Sequence, residues 1–244
     1  METSLHQQLK GLYATDKSKT EVVFKGFRID AISDDGELIE IQHASLGALR
    51  DKTRELLAPR SRNRLRIVKP IIRRKKLTTV CPNTGEVLRS RMSPKSCDWL
   101  DIFMDLVHFS NVFPHKRLKL EILLVDCEEI RIDRQAKRRR GKNYKSMDIS
   151  LLEVGPSIEL CNLADLLSRL PIDQLPNPFS TSHIAEALEK PRWFAQKVAY
   201  CLRQMKAIEL VGKQGNSVLY KLAPQFVTTL ARRFTSTSSM KAAN

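Results

Sequence analysis

The sequence predicts an α+β protein in two parts. An α/β (α+β) domain occupies residues 1–155, a smaller helix-and-hairpin domain 156–224, and a C-terminal helix or tail with a frayed end 225–244. Three observations predict it. Apolar runs of period two alternate with helical periodicity through the first 127 residues. The composition changes near residue 160, and Pro171, Pro176 and Pro178 then punctuate a junction. A hydrophobic content of 42% with 28% charged residues over 244 positions is enough for a sizeable core and excludes wholesale disorder.

Leu5, Leu9, Leu12 and Tyr13 recur at helical spacing and predict a helix over 3–13. Strands follow at 21–26, 27–33 and 37–42, with Asp34-Asp35-Gly36 as the hairpin turn between the last two. Leu46, Leu49, Thr53, Leu56 and Leu57 line one side of a helix over 46–57. Residues 65–71 read as a strand that Pro70 should end or place at an edge. The order to this point is αβββαβ. Residues 72–97 read as a basic hairpin insertion around Pro82-Asn83-Thr84-Gly85. A helix over 98–109 and an apolar strand over 118–127 complete the first part.

Five cysteines, odd in number and without a C-x-x-C pair, argue against a disulfide framework or a zinc site. No apolar run approaches the roughly 18 residues of a membrane helix, and the first residues contain no apolar signal-peptide region. The expectation is a cytoplasmic protein with no membrane partner. The formal net charge is +15. Nine Lys/Arg and no acid lie within 58–76, and seven Lys/Arg and no acid within 134–145, which leaves 26 basic against 27 acidic residues elsewhere. A near-neutral body with two basic tracts points to a polyanion, nucleic acid first. The phosphate-contact candidates are Arg60, Arg62, Arg64, Arg73, Arg74, Lys75 and Lys76 in the first tract, and Lys137, Arg138, Arg139, Arg140 and Lys142 in the second. The alternative for each tract alone is a solvated surface loop.

Residues two apart on a strand share a face, so Glu40 and Gln42 project together and the hairpin can bring Asp30 beside them. Two carboxylates on neighbouring strands, with the Ile41 carbonyl as a further oxygen, suit Mg²⁺ or Mn²⁺. Such an ion activates water and stabilises charge on a phosphate. The plainer alternative is a solvent-facing strand with ordinary polar residues. The apolar neighbours Ile29, Ile32, Leu38, Ile39 and Ile41 instead suggest strands buried on at least one face, where an acid needs a partner.

Asp30 followed after nine residues by Glu40-Ile41-Gln42, within an αβββαβ order, resembles the PD-(D/E)XK nuclease superfamily over roughly residues 1–127. The resemblance implies a restriction-endonuclease-like core. It implies Asp30 and Glu40 as metal ligands and Gln42 in the slot usually held by a lysine, a departure from the family pattern. It further implies Glu2 as the first-helix acid, unless Ser4-x-x-Gln7 caps that helix and leaves Glu2 outside. Lys52, on the apolar side of its helix, would restore the missing charge; otherwise it is a lysine snorkelling from the edge of that face. A homodimer would suit double-strand cutting.

In the second part, Asn162 and Asp165 open a short helix, and a serine or threonine within 180–182 caps the next. Pro191 opens a third, whose core face is Phe194, Val198, Cys201, Leu202 and Met205. A hairpin with a turn over 212–216 follows. This order resembles the winged helix-turn-helix domain over about 60 residues. By that resemblance Arg192, Gln196, Lys197 and Arg203 would face double-stranded DNA, with Lys213 on the wing. The combined expectation is a Mg-dependent endonuclease-like phosphodiesterase. The alternatives are a non-catalytic DNA-binding regulator and a protein-interaction adaptor of a defence or repair complex.

Overall fold

A computed structural model describes residues 3–14, 19–133 and 143–227. It is a mixed α+β chain whose contacts divide into two units, both discontinuous in sequence. The first holds 1–45, 51–102 and 120–158; the second holds 46–50, 103–119 and 159–244.

The first unit is built on a seven-stranded mixed sheet. Helix α1 (Ser4–Tyr13) is followed by strands β1 (Thr20–Phe24), β2 (Phe27–Ile32) and β3 (Leu38–Ile41), then helix α2 (Arg50–Leu56) and strands β4 (Leu65–Val80) and β5 (Val87–Met92). Beyond helix α3 (Ile102–Leu106), which from residue 103 belongs to the second unit, come the long strands β6 (Leu118–Asp133) and β7 (Tyr144–Leu160). The order across the sheet is β1-β2-β3-β4-β6-β7, with β5 paired to β4. β1, β2 and β3 form an antiparallel meander, and β3 runs parallel to β4. Gly36, with φ +77°, takes the left-handed position that the β2–β3 turn requires and that glycine adopts without a Cβ penalty.

Leu5 and Leu9 of α1 join Ala31, Ile39, Ile41, Val68, Leu123, Val125 and Cys127 in one buried cluster. Period-two alternation on the strands meets the helical i, i+4 pair of α1, so a single apolar face is covered. Thr3 is the N-cap of α1, accepting the His6 amide; this replaces the expected capping by Ser4 and Gln7. Glu2 lies outside the described residues.

One expectation is corrected here. β4 passes through Pro70 and continues to Val80. The reason lies in its neighbour: the Val68 carbonyl accepts from Gln42 just past the last β3–β4 pair, Ile41 with Val68. Pro70, two residues on, turns its donor-less nitrogen to the same side, where β3 has ended, so no ladder bond is lost. The hairpin expected around Pro82-Asn83-Thr84-Gly85 is present: it is carried on the far end of β4, with β5 folded back from Lys76 to Val80. β7 runs through residue 155 to Leu160, and the two units divide along it between 158 and 159.

In the second unit, α4 (Leu163–Leu167) is opened by a reciprocal capping box between Asn162 and Asp165. Strand β8 (Phe179–Ser180) leads into α5 (Thr181–Ala187), capped by Ser180, and then α6 (Arg192–Gln204). β9 (Ile208–Gln214) and β10 (Ser217–Leu222) form a hairpin, and the small sheet has the order β8-β10-β9. α6 buries Phe194, Val198, Cys201 and Leu202, with Met205 just beyond its end also buried. The Cys201 thiol points at the Phe103 carbonyl, 3.8 Å away.

Candidate functional site

The β2–β3 ladder stops at Ala31 paired with Ile39. One step further along the same register come Asp30 and Glu40. The strands separate there, and the next backbone donor on that edge, the Ile41 N–H, is taken by Asp30 Oδ2 at 2.7 Å. A buried amide without a partner is costly, so the carboxylate stands where a carbonyl of β2 would otherwise be. The other oxygen, Oδ1, is 3.3 Å from His6 Nε2 and 3.5 Å from Lys10 Nζ, both on α1. Lys10 also binds Glu21, which in turn pairs with Arg28.

Glu40 is the more deeply buried acid, its side chain 7% exposed. Lys52 of α2 places Nζ 2.6 Å from Glu40 Oε1 and also donates to the Arg28 carbonyl. The Glu40 carboxyl is raised above the usual carboxylate range. Burial is the main cause and the nearby Asp30 charge adds to it, while Lys52 acts in the opposite direction. Asp30, Glu40 and Lys52 therefore lie together. Gln42 does not complete them: its amide donates to the Ser45 carbonyl at 2.8 Å. His6, Lys10 and Glu21 were not anticipated. The available signal was the spacing of His6 and Lys10, each one residue after a core leucine of α1.

Among the described residues no group of three or more His, Cys, Asp or Glu is placed to hold a metal ion. The donors available at this point are two carboxylates and the Ile41 carbonyl, all hard oxygens. Their chemistry fits Mg²⁺ or Mn²⁺ and not a softer ion.

The first basic tract is largely engaged within the first unit. Arg64 pairs with Asp35. Arg66 joins Glu37 and Glu121, and Glu121 also accepts from Tyr13 at 2.6 Å. Lys69 is buried and donates to the carbonyls of His43 and Ala44. Arg73 and Arg74 share Asp126, Lys75 binds Glu129, and Lys76 binds Glu128. Arg73 and Arg74 hold the Asp126 carboxyl down at about 2. Burial raises that of Glu129, but Arg131 and Lys75 outweigh it and leave it also at about 2. Arg60 and Arg62, between α2 and β4, are exposed. The sequence-based count thus overstates the charge that 58–76 presents to solvent, because β6 beside it carries the matching acids. The second-tract candidates Lys137, Arg138, Arg139, Arg140 and Lys142 lie outside the described residues.

On α6, Arg192, Gln196 and Arg203 are exposed and Lys197 is half-buried; Lys213 is exposed near the tip of the β9–β10 hairpin. The same face carries Trp193, which sequence reading passed over because its neighbour Phe194 satisfies the core periodicity.

Residues 3–161 match the Domain of unknown function DUF8091. The match ends one residue after β7, so it takes in the large sheet and the Asp30–Glu40–Lys52 group and stops before α4. A similar protein, an uncharacterized protein of Treponema pallidum (strain Nichols), is 28% identical over 226 residues, covering 91% of this chain and 86% of the relative. No solved structure matches. The family match extends over well over half of the sequence, and the chain belongs to the DUF8091 family.

Proposed function

We propose that the protein is a metal-dependent phosphodiesterase acting on nucleic acid, with Asp30, Glu40 and Lys52 at its centre. The observation that carries this reading is the separation of β2 from β3 at Asp30 and Glu40, with a lysine delivered to Glu40 from α2. The order α1-β1-β2-β3-α2-β4 supports it, being the αβββαβ order that the resemblance to PD-(D/E)XK nucleases implies.

Asp30, Glu40 and the Ile41 carbonyl would hold Mg²⁺ or Mn²⁺, which when bound supplies an activated water and charge stabilisation at phosphorus. The chain's own groups do the rest. The Ile41 N–H and His6 fix the orientation of Asp30. Lys52 favours the ionised form of buried Glu40 against the rise that burial causes, and it is the cation nearest to it, able to meet the negative charge that builds on a phosphate oxygen in the transition state. Gln42, bonded to Ser45, orients the segment after β3 and does not replace that charge. Arg60 and Arg62 offer phosphate contacts, and α6 of the second unit offers an exposed basic face with the winged-helix order of elements.

A second reading has an observation of its own. Lys10 and Lys52 already neutralise both carboxylates, which favours a non-catalytic nucleic-acid-binding scaffold. Purified protein incubated with supercoiled plasmid in Mg²⁺ or Mn²⁺, and then in EDTA, separates the two. Metal-dependent nicking that Asp30→Ala and Glu40→Gln both abolish supports the enzyme. Salt-sensitive retardation without cutting under either metal supports the scaffold. Neither cutting nor retardation at low salt refutes both and leaves the adaptor role.

A further inference from the structure

We propose that the exposed stripe of α6 is a stacking platform for unpaired nucleobases, so that the second unit engages single-stranded nucleic acid. The inference rests on the nucleic-acid reading above and names the form of substrate that this unit takes.

Trp193, Gln196, Lys197 and Tyr200 follow i, i+3, i+4, i+7 and form one face. With Val107 they line an open groove of about 350 Å³ within the second unit. Trp193 is 54% exposed and Tyr200 46%. Large aromatic side chains are normally among the most buried groups, and two on one solvent-facing stripe are an exposed apolar patch of the kind that marks an interaction site. The Trp193 ring is also held in place. It meets the buried Phe194 ring edge-on, with centroids 5.9 Å apart.

Charge selects the partner. α6 contains Arg192, Lys197 and Arg203 and no acidic residue. Flat π-faces interleaved with cations and an amide are what a single strand requires: bases stack on the rings, phosphates meet the cations, and Gln196 can bond a base edge. A duplex would use the stripe poorly. Its bases are already stacked and show the groove only their edges, to which an indole face has little to offer.

The test uses the full chain in EDTA, which removes any dependence on cleavage. In a Trp99→Phe background Trp193 is the only tryptophan. Its emission is followed against a 20-nucleotide oligo(dT), a 20-base-pair duplex and a polyglutamate peptide. The expected result is quenching by oligo(dT); the variants' affinities, read by the anisotropy of fluorescein-labelled oligo(dT) and duplex because Trp193→Ala removes the fluorophore, should fall about tenfold or more for Trp193→Ala and likewise for Tyr200→Ala. Trp193→Phe should lose much less, and duplex binding should change less than twofold. The quenching reads the parent protein directly, so the test survives an alanine variant that folds poorly. Duplex binding without oligo(dT) quenching overturns this inference and leaves the nucleic-acid reading standing, as does an equal loss on both nucleic acids. Ring-dependent binding of polyglutamate as tight as that of oligo(dT) overturns it in favour of an acidic protein partner. If neither nucleic acid binds at 50 mM salt, both readings fall.

Discussion

Lys52→Met should destabilise the first unit in a pH-dependent manner, and the sign follows from the surroundings of Glu40. In the parent protein burial and Asp30 raise the Glu40 carboxyl while Lys52 lowers it. Removing the ammonium leaves burial and the Asp30 charge opposed only by the weaker backbone hydrogen bond at Asp30. A carboxyl raised in the folded state contributes nothing to stability below its unfolded value, near 4.5, where both states are protonated. As pH climbs towards the folded value, the unfolded chain ionises freely and the native one does not, so stability falls. The deficit of Lys52→Met should therefore be small at pH 4.5 and largest near pH 8. Breaking a buried pair from one side costs about 3–5 kcal/mol. Lys52 is 19% exposed, and that partial solvation brings the expectation to about 2–3 kcal/mol at pH 8 and under about 1 at pH 4.5. Urea unfolding followed by circular dichroism at the two pH values measures it, with the m-value checking that the transition is unchanged. The double variant Glu40→Gln/Lys52→Met should recover at least half of the pH 8 loss, since the buried charge is gone. A deficit equal at both pH values, or a double variant that is simply additive, would refute the coupling of Glu40 to Lys52.

Two further outcomes follow from the same structure. Asp126 is held at about 2 by Arg73 and Arg74. A carboxyl lowered on folding stabilises above its unfolded value near 3.8, and that stability is lost as pH drops from about 4 to 2. The shift corresponds to at most ~2.4 kcal/mol, and about 1 once the exposure of Arg74 is allowed for; Asp126→Asn should remove that part of the acid-unfolding slope between pH 4 and 2. Thiol labelling at pH 7 should separate the cysteines. Burial pushes Cys127 to about 11 and Cys201 to about 12, whereas hydrogen bonds from Thr84 and Asn83 lower Cys81. Cys81 and exposed Cys161 should react in the native protein, and Cys127 and Cys201 only after denaturation, as mass spectrometry of the labelled peptides will read.

What could be read from the sequence was what depends on neighbours within a few positions. The Asp34-Asp35-Gly36 turn, the Asn162 and Ser180 caps and the buried stripe of α6 are set by spacing alone, and the structure has them where spacing puts them. The meeting of Asp30 with Glu40 was also accessible, because a tight turn determines register across a hairpin. What escaped depends on strands far apart in sequence. Nine basic residues over 58–76 look like an open charged surface until β6 is laid beside β4 and its acids, Glu121, Asp126, Glu128 and Glu129, take most of them. Pro70 looks like the end of a strand until β3 is seen to stop first. Lys10 looks like an ordinary helix-surface lysine until Asp30 and Glu21 close around it.

β4 has sixteen residues, and besides β6 its two other partners hold only its extremities, β3 from Leu65 to Val68 and β5 from Lys76 to Val80. The eight-residue step between those attachments spans about 26 Å of extended chain. The strand is therefore a ruler. It fixes the spacing between the carboxylate end of the sheet and the β4–β5 arm, with β6 alongside as a splint. Lengthening it by two residues would move the arm outward by about 7 Å and keep every side chain on its own face; lengthening it by one would turn the arm's side chains over. Length and phase along this one strand are thus separate quantities, and any partner long enough to touch both ends is measured by the first.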